Sequence, residues 1–141
     1  MKYLLRAAGV VLAIGLFSPS HADEAYTAAV RVETLVKTSQ DNAGQPIRFP
    51  TGSPEITGVM VTMPPGESTG WHIHAIPCAA YILEGEVSVE VEGRGTKRFK
   101  AGDAFAEVVN LRHCGTNTGR VPVRILLFAM GEKGVPISEK K

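Results

Sequence analysis

The chain has 141 residues, with 15 basic and 14 acidic side chains, a formal net charge of +1, 44% hydrophobic residues and 2 cysteines. A balance this close to neutral leaves no basic footprint for nucleic acid or for an anionic membrane surface. The hydrophobic fraction and the length suit one globular core.

At the N-terminus, Lys2 and Arg6 precede an apolar run from Ala7 to Phe17. Ser18, Pro19 and Ser20 break it, and Ser20-His21-Ala22 puts small residues at both key cleavage positions. The pattern predicts a secretory signal peptide over residues 1–22, cut after Ala22, and a periplasmic or secreted protein. The run is short for a membrane span, so the mature form is expected free of the membrane. Residues 23–141 then form one 119-residue domain with 13 basic and 14 acidic residues, net charge −1.

Beyond residue 22, helical periodicity is scarce, and short runs rich in Val, Ile, Thr and aromatics alternate with glycine and proline. Residues 28–38 alternate well enough for a first strand. Residues 39–54, with SQDNAG and three prolines, read as a loop. Residues 55–63 form a strand that Pro64-Pro65-Gly66 ends in a turn. Residues 70–75 carry His72 and His74. On a strand these point to the same face, which makes them half of a metal site. Imidazole suits zinc, copper, iron and nickel.

Residues 79–92, AAYILEGEVSVEVE, give the clearest strand pattern, kinked at Gly85. Past the kink, Val87, Val89 and Val91 face one side; Glu86, Ser88, Glu90 and Glu92 face the other. Gly93 and Gly95 make a hairpin turn, residues 96–100 return, and Ala101-Gly102-Asp103 turns again. The basic cluster Arg94, Lys97, Arg98 and Lys100 is diluted by Glu90 and Glu92 and reads as a solvated face. Residues 104–109, 112–117 and 121–130 complete about eight short strands, a spacing that suggests a sandwich or small barrel. The tail, residues 131–141, is polar and expected to be loosely held.

His113 is a third candidate ligand. With His21 lost at cleavage, all the remaining histidines converge on one hypothesis. Glu107, inside the apolar strand AFAEVV, either points into the barrel or is misplaced, since charges are almost never buried unpaired. An interior Glu107 could be a ligand, a general base, or a carboxylate paired with an interior arginine or tyrosine. Trp71 precedes His72 and faces the opposite side as packing. Tyr81 lines the pocket mouth or belongs to the core.

These residues resemble the cupin superfamily. Its first motif is a glycine, five residues, His-x-His, a glutamate and a later glycine. Gly66, His72, His74 and Gly85 fall in register with it, and Cys78 stands where the glutamate should be. Gly102-Asp103, His113 and Asn117 match the second motif, while Lys100 replaces its proline. The likeness covers about residues 59–128 and resembles most the small exported single-domain cupins. It implies an all-β double-stranded β-helix, or jelly-roll barrel, with a divalent transition metal (iron, manganese, zinc, copper or nickel) inside.

By that resemblance His72, His74 and His113 are metal ligands. A fourth ligand is open among Cys78 as thiolate, Glu107, or water. Export makes a Cys78–Cys114 disulfide a second fate for Cys78, and pocket lining is a third; Cys114, directly after a ligand, should face away from the metal. Glu107 and Tyr81 are the candidate catalytic residues. The resemblance implies an oxidoreductase or dioxygenase acting on a small organic molecule, or a non-catalytic metal- or ligand-binding module of the cell envelope. A homodimer is the expected assembly.

Overall fold

The structure is a computed structural model and describes residues 29–140. The expected signal peptide and its cleavage point lie outside the described residues. The compact unit that carries the site begins at Thr34. No helix among the described residues is long and apolar enough to cross a membrane.

The described chain is all-β. Its strands, in order, are β1 (Pro54–Met63), β2 (His72–Ile73), β3 (Cys78–Glu84), β4 (Glu86–Val91), β5 (Gly95–Lys100), β6 (Ala104–Ala106), β7 (His113–Thr116), β8 (Val123–Glu132) and β9 (Glu139–Lys140). They form a four-stranded sheet, β1-β8-β3-β6, and a five-stranded sheet, β5-β4-β7-β2-β9. All pairings are antiparallel. The non-sequential neighbours are those of a jelly roll, two sheets packed face to face over one core.

Alternation does the local work. In β4, Val87, Val89 and Val91 are buried while Glu90 is exposed. In β8, Val123, Ile125, Leu127 and Ala129 are buried from the opposite sheet. The β4 row, Val123 and Ile125 meet Ala80, Ile82 and Phe105 between the sheets, while Leu127 and Ala129 pack with Ile76 and Cys78. Each fully buried aliphatic side chain contributes roughly 1.5–3 kcal/mol.

Gly85 separates β3 from β4 at φ +75°, and a Cβ there would sit 2.7 Å from the carbonyl oxygen of Pro122. No L side chain fits both constraints. Gly85→Ala is expected to destabilise the fold by at least about 2 kcal/mol. A urea midpoint unchanged from the wild type would show that the bend tolerates a side chain.

Three expectations are corrected. Residues 29–38 carry no strand. Leu35 and Val36 stay 53% and 43% exposed, and alternation makes a strand only where a sheet edge receives it. The strand expected over 104–109 stops at Ala106. Beyond it, Val109 N–H donates to Asp41 Oδ2, and Asn110, at φ 57°, donates its N–H to the carbonyl of His74. The tail is not loosely held. Ile73 pairs with Glu139 and His72 with Lys140, so β9 becomes an edge of the five-stranded sheet.

Candidate metal centre

The backbone register assembles the histidines. His72 on β2 lies directly across from His113 on β7, so both side chains leave the same face of the sheet. His74, two residues after His72, shares that face. The ring centroids of His72 and His113 are 4.3 Å apart, those of His74 and His113 4.9 Å, and those of His72 and His74 5.0 Å. One nitrogen from each ring lies within 4.8 Å of the other two.

Every ring is oriented through Nδ1. His72 Nδ1 is 2.8 Å from the carbonyl of Gly70, His113 Nδ1 2.8 Å from that of Leu111, and His74 Nδ1 2.7 Å from that of Ile137. A carbonyl only accepts, so each Nδ1 carries a proton, and in the neutral ring it is Nε2 that accepts. His113 Nε2 is buried with no hydrogen-bond partner among the described residues. Burial pushes the His113 imidazole down to about 4 and also lowers that of His74. Neutral imidazoles with committed Nδ1–H groups and converging Nε2 lone pairs are the arrangement a bound metal requires. The donor set therefore fits a divalent transition metal.

Contacts on both sides of the sheet brace the ligands. Thr69 exchanges backbone and side-chain hydrogen bonds with Gly115, which holds the Gly70 turn against β7. The Arg112 guanidinium stacks 5.1 Å from the Trp71 ring and donates to Glu92 at 2.9 Å. Trp71 and Arg112 each precede a histidine, so this exposed cluster, worth roughly 0.5–1 kcal/mol, ties β2 to β7 from the far face. Trp71 is packing, as alternation predicted.

His72, His74 and Glu107 line one cavity of about 460 Å³, walled by Val59, Val61, Val87, Val89, Phe105, Ile125 and Leu127. Glu107 is 9% exposed, and its Oε2 has no partner among the described residues. Desolvation pushes the carboxyl up to about 7. The apolar pattern AFAEVV left this carboxylate either inside the barrel or misplaced; it is buried, and no arginine or tyrosine among the described residues satisfies Oε2.

The remaining expected residues fall elsewhere. Cys78 is 1% exposed, packed with Ile76, Leu127 and Ala129, and is not part of the three-histidine cluster. Its thiol donates to the carbonyl of Ile76, and burial with the nearby Glu107 charge pushes it up to about 12. Both cysteines are free; Cys114 lies on the outer side, 2.9 Å from Ser68 Oγ. Tyr81 alternates with the buried Ala80 and Ile82, which turns it to the outer face of β3, and it does not line the cavity. Asn117 is a structural latch: its Nδ2 donates to the carbonyls of Met63 and Val121.

Cobalt loading separates the roles of Cys78. No sulfur-to-metal charge-transfer band is expected, and Cys78→Ser should leave the cobalt spectrum unchanged. A band lost in Cys78→Ser but kept in Cys114→Ser would make the thiolate a ligand.

Sequence reading missed Ile137, Ser138 and Lys140, which also line the cavity. The one signal was the spacing of Val135 and Ile137, two apolar residues at strand period in a polar tail.

Comparison with known proteins places this geometry. No curated protein matches the chain. Among solved structures, Lactobacillus farciminis oxalate decarboxylase, in its formate complex, matches with a TM-score of 0.54 and 22% identity over 60% of this chain and 26% of its own. The DMSP lyase DddQ from Ruegeria pomeroyi matches at TM-score 0.54 and 26% identity, over 70% of this chain and 47% of its own. Bacillus subtilis oxalate decarboxylase, a protein with Mn(II) centres, matches at TM-score 0.53 and 20% identity, over 60% and 23%. The chain thus spans about a quarter to a half of the length of these proteins. Residues 59–129, half of the chain, match the family described as the cupin domain. With both histidine motifs and the two-sheet topology in agreement with that match, the chain belongs to the cupin family.

Proposed function

We propose that this protein is an exported, metal-dependent cupin enzyme acting on a small organic molecule, of the oxidoreductase or dioxygenase kind. The observation that carries the reading is the cluster of three Nδ1-anchored imidazoles, two of which, His72 and His74, line one apolar cavity with the unpartnered interior carboxylate of Glu107. His72, His74 and His113 would hold the ion, with iron, manganese, zinc, copper and nickel all suited to imidazole. When bound, the metal would supply Lewis-acid polarisation or dioxygen activation.

The chain's own residues do the rest. The aliphatic walls exclude water and receive the apolar part of the substrate. Glu107, with its carboxyl near neutrality, takes or returns a proton at Oε2, a role that favours a pKa close to the working pH. The Mn(II) centres of the Bacillus subtilis decarboxylase make manganese one reasonable occupant. A homodimer belongs to the same reading. The outer face of the four-stranded sheet exposes Ile56, Met60 and Phe128 at 73%, 45% and 44%, an apolar patch suited to a second copy.

Protein isolated from the periplasm without added metal tests the proposal. It should begin at Asp23 by mass spectrometry and contain close to one transition-metal ion per chain. An intact Met1 on soluble exported protein would overturn cleavage after Ala22, and metal-free protein would overturn the metal centre. A metal whose bound water exchanges on adding small organic acids would favour an enzyme over a closed binding module.

A further inference from the structure

His72 and His113 are oriented by carbonyls two residues away, on their own strands. His74 is oriented from 63 residues away, by the carbonyl of Ile137. Three observations hold that carbonyl in place. Val135 and Ile137 pack on the cluster of Ile76, Cys78, Leu127 and Ala129. Glu139 and Lys140 extend the sheet beside β2. Ile137 and Ser138 form part of the cavity wall. We infer that the C-terminal segment 135–140 is a positioning element of the metal centre, which sets the tautomer and rotation of His74 and thereby the affinity for metal; this rests on the metal reading above. Free neutral imidazole favours the proton on Nε2, which blocks ligation through that atom. The Ile137 carbonyl reverses the preference.

Partners that orient a ligating histidine typically govern about 10- to 100-fold in metal affinity. A chain ending after Pro136 loses the carbonyl; one ending after Ser138 keeps it and loses only β9. Zinc affinity should fall about 10- to 100-fold in the first and only a few-fold in the second. In metal-free protein, long-range proton–nitrogen spectra should show the His74 proton on Nδ1 in the full chain and on Nε2 in the Pro136 chain. If the Pro136 chain does not fold, full-length Ile137→Ser, which removes the apolar anchor, should move the His74 signature the same way. Wild-type zinc affinity together with an unmoved His74 proton overturns the inference. A full-length chain that binds no zinc overturns the metal reading alone, because the tautomer is read without metal.

The register carries a second inference independently. Lys140 lies directly opposite His72, so its side chain leaves the cavity face of the sheet, as does that of Ser138 two residues earlier. Both line the cavity, and no ion pair among the described residues holds Lys140. Glu139 faces the other side with Ile73. We propose that Lys140 selects small organic anions, with the apolar body against the aliphatic wall and the anionic head at the rim; this too rests on the cavity being the binding site.

Benzoate and benzyl alcohol, alike in shape and different in charge, are the probes. By calorimetry on the protein as purified, benzoate should bind about tenfold tighter than the alcohol, the worth of one charge-assisted hydrogen bond. Lys140→Gln should abolish that margin and Lys140→Arg should keep it. An equal affinity for both probes in the wild type, or a margin that survives Lys140→Gln, overturns the inference. Metal content measured on the same samples reports the metal reading separately.

Discussion

Replacing His72, His74 and His113 together by alanine is expected to abolish stoichiometric metal binding, and each single replacement should reduce it well below one ion per chain. Each imidazole presents one Nε2 from a ring already fixed at Nδ1, so no neighbour can substitute for a lost donor. Native-state binding contributes RT ln(1 + [L]/Kd), about 4 kcal/mol when metal exceeds Kd a thousandfold. The wild type should gain that stability on adding metal and the triple variant should not. The metal-free proteins should differ far less, because His113 Nε2 is a buried atom without a partner and its removal relieves a cost. Elemental analysis and thermal unfolding with and without added metal check both statements. Full metal content in the triple variant would sink the site.

Glu107→Gln should change how stability depends on pH while leaving the fold intact. The carboxyl stands near 4.5 when unfolded and is pushed to about 7 by burial in the native state. A raised carboxyl binds more protons folded than unfolded between those values, so its contribution to stability falls as pH rises from about 4.5 to 7. The fall amounts to about 3 kcal/mol. His113 acts with the opposite sign. Depressed from 6.5 to about 4, it contributes stability above 6.5 that is lost as pH falls toward 4. Over the shared range the two trends oppose each other, and His74, also lowered by burial, adds to that of His113.

Glutamine removes one of them. Metal-free Glu107→Gln should therefore gain on the wild type by about 3 kcal/mol between pH 4.5 and 7, and its own stability should rise with pH. With metal present, losing a carboxylate from the cavity should weaken metal binding. Parallel denaturant curves at both pH values check the first claim and metal titration the second. An unchanged stability difference across that range together with unchanged metal affinity would reduce Glu107 to a space-filling residue.

Much of the fold and part of the site were legible in the residues. Val87, Val89 and Val91 announced a half-buried strand, and they are buried. Gly85 announced a kink, and its φ of +75° against Pro122 requires one. The i, i+2 spacing of His72 and His74 announced a shared face, and the apolar setting of Glu107 an interior carboxylate. These signals are local: alternation, turn chemistry and burial cost act within a few residues and are written in side-chain identity.

Other expectations depended on partners remote in sequence. The same alternation that marked β4 also marked residues 28–38, and over the described residues 29–38 no sheet edge receives it. Cys78 held the position of an acidic ligand in the motif, yet its side chain packs with Ile76, Leu127 and Ala129, outside the histidine cluster. The polar tail looked loose, and it became the edge strand beside the metal ligands.

The all-β character, the turns and the shared face of His72 and His74 follow from side-chain identity along the chain. That His72 lies opposite His113, and that the Ile137 carbonyl orients His74, follows only from how the strands pair. Strand pairing and carbonyl acceptance use main-chain groups common to nearly all residues. The identity of Ile137 therefore says nothing about the proton its carbonyl holds on a ring 63 residues away.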